Sequence, residues 1–345
     1  MIRRCYILIA CAMAFLMSCS HKELCIDHHL HTARVEYLFN LSYEKEWEYN
    51  EEGHVDWKQN WDEKFGADYN SIRPNDPEGV CIRIYYDDNI SHSERNVESE
   101  GGKVFFDEEG KYSVLLHNND TEYIVYKDMN SYSTAYATTR GVLRSSYMGT
   151  SFKSENEEES TVNSPDMLYG AYFDQFDAVK STSATEMNVT LRPLVFTYVV
   201  RYEISKGAEY VALARGALAG MARGVNLGDG RTSVESATVM FDASLVYGGA
   251  QAYVKSFGVP DYPNPNYTRT EGKFGLNFEV KLKDGSTQQF EFDVTEQVAQ
   301  QPHGGVIVVS GIEIEEPKAS EDEYQGSFDI GVNGWGDAID IPLIV

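Results

Sequence analysis

Leu194-Val-Phe-Thr-Tyr-Val-Val-Arg-Tyr-Glu-Ile204 is the stretch that decides the fold. Its apolar and aromatic residues run almost without interruption, and three are β-branched Val. A helix with one buried face would break such a run with polar residues at every turn. A strand covered on both faces needs no such break, so this segment reads as a central strand. Outward from it, Met187–Leu191 reads as a second strand, and Val35, Tyr37, Phe39 and Leu41 alternate as one face of a third. Val80–Tyr86, Lys103–Phe106, Lys111–His117, Glu122–Lys127 and Ser131–Thr138 follow the same logic, parted by turn residues such as Asp107–Gly110 and Asn118-Asn119-Asp120. The polar run 87–102 reads as loop. Toward the C-terminus, Ser236–Phe241, Tyr253–Phe257, Lys273–Lys283, Phe290–Asp293 and Gly305–Glu313 read as strands. Tyr210–Ala222 carries Gly216 and Gly220 and predicts a strand passing into a short helical turn at Leu218–Met221, and Val294–Gln300 predicts one helical turn capped by Thr295. Short, regularly spaced strands describe an all-β protein of sandwiches.

Size and composition agree. The chain has 345 residues, 42% of them hydrophobic, with 23 Tyr, 16 Phe and 28 Gly. That length suits two domains, and the Tyr and Phe content suits sheets. A seam falls at Gly141–Pro165, where Glu155–Glu159 holds four acids in five residues and reads as an exposed loop or linker. The expected organisation is a signal peptide (1–18), a polar leader (19–32), an N-terminal sandwich (33–163) and a C-terminal sandwich (164–345).

The first residues predict export. Arg3 and Arg4 precede an apolar run from Tyr6 to Met17. Twelve helical residues span about 18 Å, short of the roughly 30 Å hydrocarbon core, so the run is a signal core and not a membrane span. Leu16-Met17-Ser18-Cys19 has the form of a lipobox, which makes Cys19 the lipidation site. Several acyl chains hold a protein stably where one does so marginally. Removing residues 1–18 deletes two Arg and no acid, taking the net charge from −25 to −27. A charge of that sign argues against nucleic acid and against a polybasic grip on anionic lipid. Cys25 and Cys81 are the cysteines left for a disulfide in an oxidising compartment.

Candidate chemistry is sparse. His28, His29 and His31 lie in the leader without a second cluster to complete a zinc site, and they read as part of a solvated tether. Trp47, Trp57 and Trp61 fall in an acidic stretch, 44–70, where exposed indoles would stack on sugars or instead pin the loop to the sandwich. Asn118, Asn119, Asp120 and Glu122 lack a full calcium loop and read as a turn whose side chains bond the backbone. Asp337 and Asp340 near Trp335 read as chance neighbours. No nucleophile-elbow, zinc-protease or P-loop motif occurs. The reading is therefore non-enzymatic, with no cofactor or metal. The chain ends with Ile339, Ile341, Leu343 and Val345 on one face, an edge strand or one available to another subunit.

A series of segments carries a family resemblance. They are His21-Lys-Glu-Leu-Cys25 with Asp27-His28, Asn75-Asp-Pro-Glu-Gly-Val80, Gly110-Lys-Tyr-Ser-Val-Leu-Leu-His-Asn-Asn-Asp-Thr-Glu122, Thr138-Thr-Arg140, Pro165-Asp-Met-Leu-Tyr-Gly170, Leu218-Ala-Gly-Met-Ala222, Phe292-Asp-Val-Thr295 and Trp335-Gly-Asp. Together the chain resembles the fimbrillin-like, type V pilus-related lipoproteins of Bacteroidales. The resemblance implies two tandem transthyretin-like β-sandwich domains after a lipoprotein signal peptide. It implies an outer-membrane lipoprotein, surface-exposed or built into fimbriae, that assembles, anchors or adheres by strand donation. Its implied partners are other fimbrial subunits or itself, and outer-membrane lipid through Cys19. Filament-forming relatives lose an N-terminal strand to an arginine-specific protease. Here that cut would follow Arg73, which lies beyond the Val35–Leu41 strand, or Arg34, which precedes it. The alternative function is a surface glycan-binding lipoprotein of a polysaccharide-uptake system, meeting host or dietary glycan through the three Trp.

Overall fold

A computed structural model describes residues 35–44, 75–86, 91–143, 159–263 and 274–317, with the single positions 68, 70 and 72. The N-terminal strands are β1 (Val35–Tyr43), β2 (Gly79–Tyr86), β3 (Ser91–Glu98), β4 (Gly101–Phe106), β5 (Gly110–Asn118), β6 (Ile124–Lys127), β7 (Tyr136–Thr139) and β8 (Ser160–Asn163). Then follow β9 (Tyr169–Ala178), β10 (Thr185–Pro193), β11 (Phe196–Lys206), β12 (Val211–Ala222) and β13 (Gly224–Asn226). The last are β14 (Ser236–Val246), β15 (Gly249–Ser256), β16 (Gly275–Leu282), β17 (Thr287–Asp293), the helical turn α1 (Thr295–Ala299) and β18 (Gly305–Glu313).

Among the described residues these strands form three sheets. A closed barrel runs β1-β10-β9-β5-β2-β3-β4. An eight-stranded sheet runs β17-β16-β12-β14-β15-β11-β18, with β8 beside β14. A small sheet, β13-β7-β6, completes the set. The eight-stranded sheet folds over along β14, whose first part pairs with β12 as far as Ala243 and whose last residues, from Ser244, pair with β15. Its two halves face each other as a sandwich. Tyr202 of β11 stacks on Phe278 of β16 at 4.0 Å, and its hydroxyl donates to the Asn277 carbonyl at 2.9 Å. As expected, β11 is buried along most of its length, between β15 and β18.

The sheets divide the chain elsewhere than the expected boundary at 163/164. β9 and β10 lie beyond that boundary yet belong to the barrel, through β5·β9 and the parallel β1·β10 pairing. β8 lies before it yet pairs with β14 of the sandwich. The chain thus visits the sandwich once, returns to finish the barrel, and leaves it for good between Pro193 and Phe196. Parallel pairing requires a long crossover, and here that crossover is nearly the whole first half of the chain.

Five local expectations change. Residues 91–98, read as loop, form β3, which pairs with β2 at eight positions despite its polar sequence. The strand expected over Ser131–Thr138 shortens to Tyr136–Thr139, because Ser131–Ala135 forms turns bonded back to Asp128 and Ser131. The turn at Leu218–Met221 is not helical. It is a bulge in β12, where the register with β14 slips and Gly220 takes φ +88°. Thr295 lies inside α1 and does not cap it; its hydroxyl accepts the Phe274 N–H at 2.9 Å, fastening the turn to β16's start. Glu159, the last acid of the expected linker, is buried and accepts from the Thr238 hydroxyl at 2.7 Å and the Gly220 N–H at 3.3 Å.

Candidate functional site

The barrel is closed by its first strand. β1 pairs in parallel with β10 and antiparallel with β4, so its removal would leave those two edges facing each other across a gap one strand wide. β9 and β10 offer little alternative closure, since they share register only at Arg192↔Gly170 and Pro193↔Tyr169. The alternation that predicted the strand also determines its inner face. Val35, Tyr37 and Phe39 point into the barrel and are 4%, 4% and 1% exposed, while the residues between them are half-buried.

Tyr37 spans the interior. Its ring meets Phe106 at 5.4 Å and Phe176 at 5.1 Å, both edge-on, the arrangement that ring quadrupoles favour. Its hydroxyl donates to the Asp177 carbonyl at 3.4 Å and accepts the Val179 N–H at 3.1 Å. One side chain on β1 therefore holds the far end of β9. The outer surface of β1 carries polar pairs: Asn40 with Asn188, Ser42 with Thr190, and Glu36 with Lys103. Exposed pairs of this kind contribute little, so β1 is retained by its apolar face and its backbone ladders. Gly101, at φ +112°, lets β4 approach; a Cβ there would sit 1.9 Å from the Phe39 carbonyl oxygen.

A second node ties the segment preceding β9 to the barrel. Asn118, 3% exposed at the end of β5, accepts the Tyr169 N–H at 2.7 Å and donates to the Met167 carbonyl at 3.1 Å and to Asp120 at 2.7 Å. Asp120 accepts the Glu78 N–H at 3.0 Å, and Asp166 accepts the N–H groups of Glu122 and Tyr123. Of the residues weighed for calcium, these side chains serve the backbone instead. Among the described residues no group of three or more His, Cys, Asp or Glu is placed to hold a metal ion, and no helix is long and apolar enough to cross a membrane. Asn118→Ala strands the buried Tyr169 N–H and should cost about 1–3 kcal/mol, whereas Asn119→Ala, which loses only an exposed bond to Asn96, should cost less. Urea midpoints of the two variants check this, with equal losses counting against the node.

Of the residues singled out in the sequence, the structure describes Cys81. It is a buried thiol on β2 facing His117 of β5 in register, and burial pushes its pKa up. Cys19, Cys25, Arg34, Arg73, Trp47, Trp57, Trp61, Ile339, Ile341, Leu343 and Val345 lie outside the described residues. Sequence reasoning found β1 as a strand but missed Tyr37 as a bridge, for its hydroxyl partners lie some 140 residues away.

Comparison with known proteins follows the same geography. A family model described as a domain of unknown function (DUF5119) matches residues 61–242, from the approach to β2 into β14. A Bacteroides ovatus protein named "Putative fimbrium anchoring subunit Fim4B" is 25% identical over 303 residues, covering 80% of this chain and 88% of that protein. The crystal structure of a "putative adhesin" from Bacteroides ovatus matches with a TM-score of 0.59 at 22% identity, covering 83% of this chain and 94% of that one. Barrel, small sheet and sandwich are thus a fold shared with a solved protein.

Proposed function

This chain belongs to the DUF5119 family, and we propose that it is a non-enzymatic subunit of surface fimbriae, anchoring or assembling them by strand donation. The observation that carries the reading is β1: a strand at the N-terminal end of the described chain that closes a barrel by its edges and plugs it with three apolar side chains. A strand held by its two edges and one inward face is of the kind that another of like pattern can replace. The relative named as a fimbrium anchoring subunit supports the assignment to fimbriae.

In this reading residues 1–18 direct export, Cys19 carries the lipid, and the protein sits on the outer membrane facing outward. Barrel and sandwich are two tandem transthyretin-like units, parted between Pro193 and Phe196. A cut after Arg34 would leave β1 in place, while a cut after Arg73 would free it together with the lipid. We favour the uncut form, a permanent anchor whose barrel keeps its own strand and whose other end meets the next subunit. The apolar face of Ile339, Ile341, Leu343 and Val345 is the segment suited to that contact. The partners are then fimbrial subunits and membrane lipid.

Intact mass and N-terminal sequencing of the protein from native membranes test the proposal together with a count of surface filaments. The expected result is an acylated N-terminus at Cys19 with β1 retained, and filaments shed into the medium by Cys19→Ala cells. An unmodified N-terminus, or filaments equally abundant and equally attached when the protein is deleted, would overturn it.

A further inference from the structure

Among the described residues the sandwich is joined along one side by β14 and ends on the other in two edges, β17 and β18. β18 is a hazardous edge by composition. No Asp, Glu, Lys or Arg occurs between Glu296 and Glu313, and the strand reads Gly305-Val-Ile-Val-Val-Ser-Gly-Ile-Glu313. Uncharged, β-branched strands with unpaired backbone groups are templates for pairing with another chain.

The structure meets that hazard with side-chain amides. Gln297 donates to the Val308 carbonyl at 3.1 Å and accepts the Val308 N–H at 2.9 Å. Gln301 does the same for Val306, at 3.1 and 2.7 Å. Val306 and Val308 are therefore the residues whose peptide groups face away from β11. A primary amide offers one N–H donor and one carbonyl acceptor, the same pair a strand residue offers. The spacing also fits. Gln301 lies two residues past α1, where its N–H donates to the Val298 carbonyl at 2.9 Å and continues the turn; four helical residues rise about 6 Å, and alternate strand residues lie about 6.6 Å apart. Past the bulge at Gly311, Gln288 of β17 repeats the pattern on Glu315, at 2.9 and 3.0 Å. The α1 turn is itself fixed from within. Val294 and Val298 are buried in the sandwich core, and the Tyr198 hydroxyl donates to the Gln301 carbonyl at 2.9 Å.

We propose that Gln297, Gln301 and Gln288 form a strand surrogate that closes the β18 edge against edge-to-edge pairing with a second copy of this chain. The inference does not depend on the fimbrial reading. If both hold, strand pairing with the next subunit is confined to other edges.

Sedimentation velocity of the full chain, parent against Gln297→Leu/Gln301→Leu, tests the proposal. Leu keeps the bulk and removes the amides. The expected result is a concentration-dependent shift of the double variant toward twice the parent mass and beyond. Adding Ser310→Lys, a charge on the same edge, should return the distribution to that of the parent. Should the double variant fail to fold, Gln297→Leu alone leaves Gln301 in place and carries the same expectation at higher concentration. A folded variant that sediments as the parent does, or association that Ser310→Lys leaves unchanged, overturns the proposal.

Discussion

Phe39→Ala should destabilise the barrel by about 3–5 kcal/mol, the range for emptying a buried aromatic site. The site has little room to collapse. Phe39 is 1% exposed, its neighbour Tyr37 is wedged between Phe106 and Phe176, and its own carbonyl is pressed against Gly101. Set against a typical total of about 5–15 kcal/mol, the loss is a large share of what holds a domain folded. Leu38→Ala on the same strand is the control. Leu38 faces the other way and is half-buried, so its loss should be near 1 kcal/mol. Limited proteolysis, read by mass spectrometry, would show whether β1 is the part released first. Equal losses from the two variants, or first cleavage in the sandwich, would show that β1 is not the wedge the geometry makes it.

That strand also shows what the sequence could and could not disclose. Its alternation, and the near-continuous apolar run of β11, are local signals: one face buried in the first, both in the second. β3 has no such signal. Ser-His-Ser-Glu-Arg-Asn-Val-Glu is ordered by backbone pairing with β2, which a hydropathy pattern does not register. Met187–Leu191, within β10, reads as a strand but not as part of the barrel, because the partner of β10 is β1, near the other end of the first half. The Ala, Leu, Met and Gly content of Leu218–Met221 fits a helical turn as well as a bulge, and only the register with β14 separates them. The candidate site was legible to the same degree. Tyr37 and Phe39 announce an inner face, but not that this face closes a barrel. The glutamines at 297 and 301 carry no pattern in sequence, since their role depends on β18 lying beside them.

Acid should weaken the fold through His117. The imidazole lies at the end of β5, buried, with its ring 4.4 Å from that of Tyr126. Nδ1 lies 2.9 Å from the Asn118 carbonyl, so in the neutral ring this nitrogen carries the proton and donates. Burial disfavours the imidazolium and holds the pKa down at about 4, against an ordinary 6.5. The Asn118 carbonyl works in the opposite direction, and the Arg83 charge adds to the depression. Above pH 6.5 both folded and unfolded chains leave the ring neutral, and stability is unaffected by it. Between pH 6.5 and about 4 the unfolded chain binds a proton that the folded chain does not, so stability falls as pH falls. At 1.36 kcal/mol per unit the full penalty is about 3 kcal/mol, reached near pH 4. His117→Phe keeps a ring beside Tyr126, and the Asn118 carbonyl retains the Tyr126 hydroxyl as donor at 3.1 Å. The variant should therefore match the parent near pH 7.5 and exceed it by about 3 kcal/mol at pH 4. Urea unfolding of both proteins at the two pH values gives the difference directly. The acidic surface, with a net charge of −25, titrates alike in both and cancels in the comparison. An unchanged pH dependence in His117→Phe would mean that the ring gains a partner or water on protonation, and that the β5 end is more open than its burial indicates.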